Sequence, residues 1–133
     1  MTKPRFLAIA SIFVSIFMVL GCQSNNEKVR SKITEAVDTI TPKAILDAVS
    51  ELDRRSIESE GSPIALDALP APFAKFAPVE VLYRSQGSYL IVTDRWVQHR
   101  SGLLIAAPGE FIPDSTKYLT QEKLGDRLYF YQD

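Results

Sequence analysis

The spacing of apolar residues changes once along this chain, near Val79, and that change limits what it can fold into. Before it, Val29, Ile33, Ala36, Val37 and Ile40 recur every three to four residues, and Ile45, Ala48, Val49 and Leu52 do the same. Such spacing lays one apolar stripe along a helix. After it, β-branched and aromatic residues cluster in short runs split by glycine-bearing loops, the pattern of antiparallel hairpins. Helices first and strands second predict an α+β domain. In it, an N-terminal helix or helix pair packs on a small antiparallel β-meander of four to five strands.

The first helix is expected over residues 27–40, with Lys28, Arg30, Lys32, Glu35 and Asp38 on its solvent side. Thr41-Pro42 interrupts it. Proline fits the first position of a new helix with Thr41 as its N-cap, and that helix runs to about Arg55. The residues leave open whether these are two helices or one kinked helix. Arg54 and Arg55 in the last turn complement the helix dipole. From 56 to 78 Gly61, Pro63, Pro70, Pro72 and Pro78 exclude a long helix or a central strand. An irregular segment over the core is expected, with one helical turn at Pro72 to Phe76. Val79–Arg84 and Ser88–Thr93 flank Ser85-Gln86-Gly87 as a first hairpin. Trp96–His99 and Leu103–Ala106 flank Arg100-Ser101-Gly102 as a second. Residues 110–126 are a longer excursion with a helical turn in Thr120 to Leu124, and Leu128–Tyr131 is a final strand.

The N-terminus is separate from this domain. Lys3 and Arg5 precede Phe6–Leu20, fifteen residues without a charge, and Gly21-Cys22 follows. A spanning helix needs about 20 apolar residues, so the run is short for a membrane crossing and fits a secretory signal. Val19-Leu20-Gly21-Cys22 resembles the lipobox of bacterial lipoproteins. The resemblance implies that the Cys22 thiol receives a diacylglyceryl group and that cleavage before Cys22 makes it the mature N-terminus. Each buried methylene of an acyl chain contributes about 0.8 kcal/mol, so two or three chains anchor a protein stably. The chain then divides into a signal peptide (1–21), a polar tether (22–26) and a single domain (27–133). Gln23 is not the aspartate that retains such proteins at the inner membrane. The resemblance therefore implies the periplasmic leaflet of the outer membrane in a host with two membranes. In a host with one, it implies the outer face of the cytoplasmic membrane. The layout of two helices and a small sheet on a lipid tether also resembles small accessory lipoproteins of the BamE/SmpA type, in arrangement alone.

Composition narrows the function. Of 15 basic residues, Lys3 and Arg5 precede Cys22, so the mature chain carries 13 basic against 16 acidic residues, a net charge of −3. No basic stretch stands out, and nucleic acid is not an expected partner. Cys22 is the single cysteine, so no intramolecular disulfide, thiolate metal site or cysteine nucleophile is available.

Catalytic patterns are missing from the sequence. It contains no phosphate loop, no G-x-S-x-G elbow, no H-E-x-x-H and no calcium-loop pattern. No catalytic, cofactor or metal site is expected. His99 is the single histidine. A Ser-His-Asp set can be assembled from Ser88 or Ser101, His99 and Asp94, but without the local motifs that position such groups. The alternative reading is an envelope hydrolase with a site near His99. The aromatics Tyr83, Tyr89, Tyr129 and Tyr131 are expected mainly to pack in the sheet. Trp96, beside Arg95 and His99, is the expected exposed binding face, because Trp and Arg anchor interfaces. The resulting expectation is a non-enzymatic accessory protein. It is held to the membrane through Cys22 and binds an envelope protein or peptidoglycan.

Overall fold

The computed structural model describes residues 27–55, 60–116 and 119–133. The expected signal peptide, the tether and the lipid site Cys22 lie outside the described residues. Helix α1 covers residues 27–40 and α2 covers Pro42–Arg54. They are two helices, not one kinked helix. Pro42 opens α2 at its first position, and a proline disfavours helical backbone in the residue before it. Thr41 turns out of the helix at φ 80, and its hydroxyl accepts a hydrogen bond from the Ala44 N–H at 3.3 Å. No helix among the described residues is long and apolar enough to cross a membrane.

A 3-10 turn at Leu66–Ala68 and a short helix, α3 (Ala71–Ala74), lead into the sheet. The sheet has five antiparallel strands: β1 (Glu80–Ser85), β2 (Ser88–Trp96), β3 (His99–Ile105), β4 (Thr120–Gly125) and β5 (Leu128–Gln132). Its order is β1-β2-β3-β5-β4. The first three strands form a meander. The last hairpin then enters reversed, so β5 and not β4 lies beside β3. Residues 60–64 cover the outer edge of β1, where Ile64 N–H donates to Val81 O at 2.8 Å and Tyr83 N–H to Ser62 O at 3.0 Å. Covering an edge removes a row of unpaired backbone groups.

The main core lies between the helices and one sheet face. Ile33, Val37, Ile45, Val49 and Leu52 meet Val81, Tyr89, Ile91, Leu103, Ile105, Leu128 and Phe130, with Phe73 and Phe76 closing one side. The predicted helical stripes are the buried faces of α1 and α2. Leu90, Val92 and Leu104 form a smaller cluster on the opposite face, with Leu82, Ile112, Tyr129 and Tyr131 packed against it. Tyr129 and Tyr131 thus share a face and Phe130 takes the other, as period-two alternation requires.

Two local expectations are corrected. The second hairpin turns at Val97-Gln98, and Arg100-Ser101-Gly102 lies inside β3. Gly102 is needed there for space: a Cβ would meet the Ile91 carbonyl oxygen at 1.8 Å. The pairing register shifts at the same place, between Val92 and Asp94. Thr120 to Leu124 is strand, not a helical turn, because pairing with β5 overrides the helix preference of Gln121, Glu122, Lys123 and Leu124.

Candidate functional site

Beyond the register shift, β2 and β3 leave the core as a two-stranded arm. Asp94 pairs with Ser101, Arg95 with Arg100 and Trp96 with His99. Residues 94–99 are all exposed. At the tip, Trp96 keeps 75% and Val97 77% of its surface in solvent. These are adjacent large apolar side chains, whereas other exposed apolar residues such as Phe111 and Leu66 stand singly, which is ordinary. The expected position of Trp96 on an exposed surface agrees with this placement.

The backbone at the tip is strained. Val97 has φ 55, in the left-handed region that glycine and asparagine visit and β-branched residues avoid. The cost is about 1–2 kcal/mol. A two-residue turn with Val in this position has no sequence signature, and so the glycine of Arg100-Ser101-Gly102 draws the expected turn three residues too far along. Strain kept at an exposed apolar tip points to use.

The arm is held from beside it. Asp133, just after β5, donates its N–H to Arg100 O at 3.0 Å; its Oδ1 accepts the Arg100 N–H at 2.7 Å, and its Oδ2 accepts from Arg100 Nε at 3.1 Å and Nη2 at 2.9 Å. The Tyr131 hydroxyl donates to the same oxygen at 2.7 Å. Burial pushes the Asp133 carboxyl upward, but the bonds from Tyr131 and Arg100 outweigh it and hold it below the usual range. On the other strand Arg95 pairs with Glu80 at 3.1 Å. Both cations flanking the tip are therefore neutralised.

His99 is exposed, with Nδ1 3.0 Å from the Asp133 backbone oxygen. No hydrogen bond among the described residues joins it to Ser88, Ser101 or Asp94. Ser88 is fully buried, donates to Ile105 O at 2.8 Å and accepts from Arg84. Among the described residues, no three metal-binding side chains converge.

Among the described residues, a hollow lies on each side of the sheet. On the side of the helices, an open cleft of about 930 Å³ runs between the first turns of α1 and the root of the arm. Glu27, Lys28 and Ile33 line it from α1, Lys75 and Phe76 from the segment after α3, and Thr93 and Asp94 from β2. On the opposite face, a groove of about 240 Å³ has Leu82, Leu90 and Leu104 in its lining, with Arg84, Arg100 and Gln121. Arg84 is bound to Glu110 at 2.9 Å and Arg100 to Asp133, so neither guanidinium is unpaired. Gln121 Oε1 is buried and has no hydrogen-bond partner among the described residues. Such an atom costs about 1–3 kcal/mol if no donor reaches it. By the alternation of β3, His99 and its pair Trp96 belong to the helix side, and Arg100 and Leu104 to the groove side. The tip and the groove are thus separate surfaces. The charged residues that line the groove or brace the arm carry no periodic signal, and only the fold brings them together.

Comparison of the chain with family models, with curated proteins and with solved structures finds no match.

Proposed function

We propose that this protein is a non-enzymatic accessory protein of the cell envelope, anchored by lipid on Cys22, that binds an envelope protein through the sheet. One observation carries the binding surface: the sheet is apolar on both faces but has helices on one. Strands buried on both faces read as continuous apolar runs, as Tyr89-Leu90-Ile91-Val92 does. On the far face Ile112, Tyr129 and Tyr131 pack on Leu90 and Leu104, which keep 6% and 3% of their surface, and a groove of about 240 Å³ remains beside them, lined also by the half-buried Leu82. Its arginines are already neutralised, and among the described residues its unpartnered buried atom, Gln121 Oε1, is an acceptor. An apolar side chain flanked by a backbone N–H answers that chemistry. The carboxylates and hydroxyls of peptidoglycan would find no unpaired cation there, which makes peptidoglycan the second partner class. The alternative reading, a hydrolase around His99, would have to use an imidazole on an exposed arm whose hydrogen bond among the described residues is to the Asp133 backbone oxygen.

The test is a photo-crosslinking residue placed in cells at Leu82 or Gln121, with Lys43 on the helix layer as control. One envelope protein captured from both groove positions and not from the control supports the reading. Glycan fragments move it to peptidoglycan, and equal capture from Lys43 removes the groove. Intact mass of the membrane form tests the anchor: a mass equal to residues 1–133 without acyl chains overturns it.

A further inference from the structure

We infer that the Trp96–Val97 tip is a second membrane contact, seated in the headgroup layer of the bilayer that holds the Cys22 lipid. This rests on the anchored reading above. Three observations place the tip there. The first is chain length: Cys22 is five residues before α1, so the start of that helix stays within about 18 Å of the lipid attachment. The second is the shared cleft. Glu27 and Lys28 at the start of α1 line the same hollow as Thr93 and Asp94 of β2. Trp96 is two residues further on, about 7 Å along the strand. The arm therefore projects from the end of the domain where the tether enters.

The third observation is chemical. Trp is enriched at membrane interfaces, where its apolar rings meet the acyl boundary and its N–H meets the headgroups. Val97 beside it is apolar and exposed, at a left-handed turn of the backbone. The flanking cations are neutralised by Glu80 and Asp133, so the contact is apolar and does not depend on anionic lipid. Asp133 and Tyr131 brace Arg100 in the arm, so the tip is presented at low conformational cost. Two contacts fix an orientation that one flexible tether leaves free, and they turn the groove face to a constant angle on the membrane.

Trp96 is the single tryptophan of the chain, so its fluorescence reports the tip alone. The lipidated protein is reconstituted in vesicles of zwitterionic phospholipid, with or without bromine on the upper acyl carbons. The expected result is an emission shift to shorter wavelength and quenching by brominated lipid of about twofold, little changed by salt. Val97→Asn keeps a residue that tolerates the left-handed turn and should reduce that quenching. Protein that does not float with the vesicles overturns the anchored reading. Protein that floats while Trp96 emits as in water, unquenched by bromine, overturns the tip contact alone. That second outcome, together with protein captured from a crosslinker at Val97 in cells, assigns the tip to a protein partner instead.

Discussion

Tyr89, in the centre of the sheet, donates its hydroxyl to Asp53 Oδ1 on helix α2 at 2.7 Å. The same oxygen accepts the Gly87 N–H at 3.0 Å, in the turn that joins β1 to β2. One carboxylate thus ties the helix layer to the first hairpin. Arg127, in the β4–β5 turn at the same end of the strands, donates to the Gly87 carbonyl at 2.8 Å. The turn that begins the sheet is held by α2 and by the β4–β5 turn together.

Replacing Tyr89 with Phe should cost about 1.5–3 kcal/mol, the usual loss for a hydrogen bond to a charged group. Burial and then the bond to Asp53 raise the Tyr89 pKa above its ordinary value. Its contribution is complete below the unfolded value of about 10 and fades as pH rises above it toward the folded one. Urea denaturation of both proteins at neutral and alkaline pH checks this. The gap between them should narrow at the alkaline end. A constant gap would mean that packing, not the hydroxyl, sets the cost.

Asp133 makes the opposite prediction. Its folded pKa is depressed, so its stabilisation is present above the unfolded value of about 3.9. It is lost as pH falls through the lower folded value. Melting temperatures of the native protein and Asp133→Asn should differ at pH 6 and converge as pH falls below about 4. The arm should also loosen in the variant, read as faster amide exchange at His99 and Arg100 across the pH 6 sample.

Packing periodicity made much of this fold legible. Ile33, Val37, Ile45, Val49 and Leu52 sit where helical spacing puts them, and Gln86-Gly87 turns the first hairpin as its glycine suggests. The second hairpin was not legible, because its turn uses Val97-Gln98 and the nearby glycine serves another purpose. The Thr120–Gly125 strand has residues that favour helix, and only its partner β5 makes it a strand. At the candidate surfaces, Trp96 was legible from its residue type. The groove was not, since Leu82 and Arg84 of β1, Leu104 of β3 and Gln121 of β4 come from separate stretches of the chain and meet through strand order alone.

Gly102 tests the purpose assigned to it. Its backbone needs no left-handed conformation, so the constraint is the Ile91 carbonyl at 1.8 Å from a modest Cβ. Gly102→Ala should destabilise the domain by about 3 kcal/mol, the upper part of the overpacking range, because backbone and not a flexible side chain must move. Gly125→Ala is the control. There the nearest atom is Pro42 Cγ at 3.5 Å, an ordinary contact. Urea midpoints of the two variants should separate clearly. Equal midpoints would show that the arm shifts easily at its root.

Val97 sets stability against contact. Its left-handed backbone costs about 1–2 kcal/mol relative to a residue that accepts it. Asparagine accepts that region and does not add the unfolded-chain entropy of glycine. Val97→Asn should therefore raise stability by about 1 kcal/mol in urea denaturation, with the hairpin register unchanged. Val97→Gly should give a smaller gain, since glycine also enlarges the unfolded ensemble by about 0.5–1 kcal/mol. Both variants remove the apolar side chain beside Trp96. A protein that becomes more stable and at the same time loses its contact would show that the strain is retained for use. A Val97→Asn protein that loses stability would show that the tip is not strained, and the argument from φ 55 would fall.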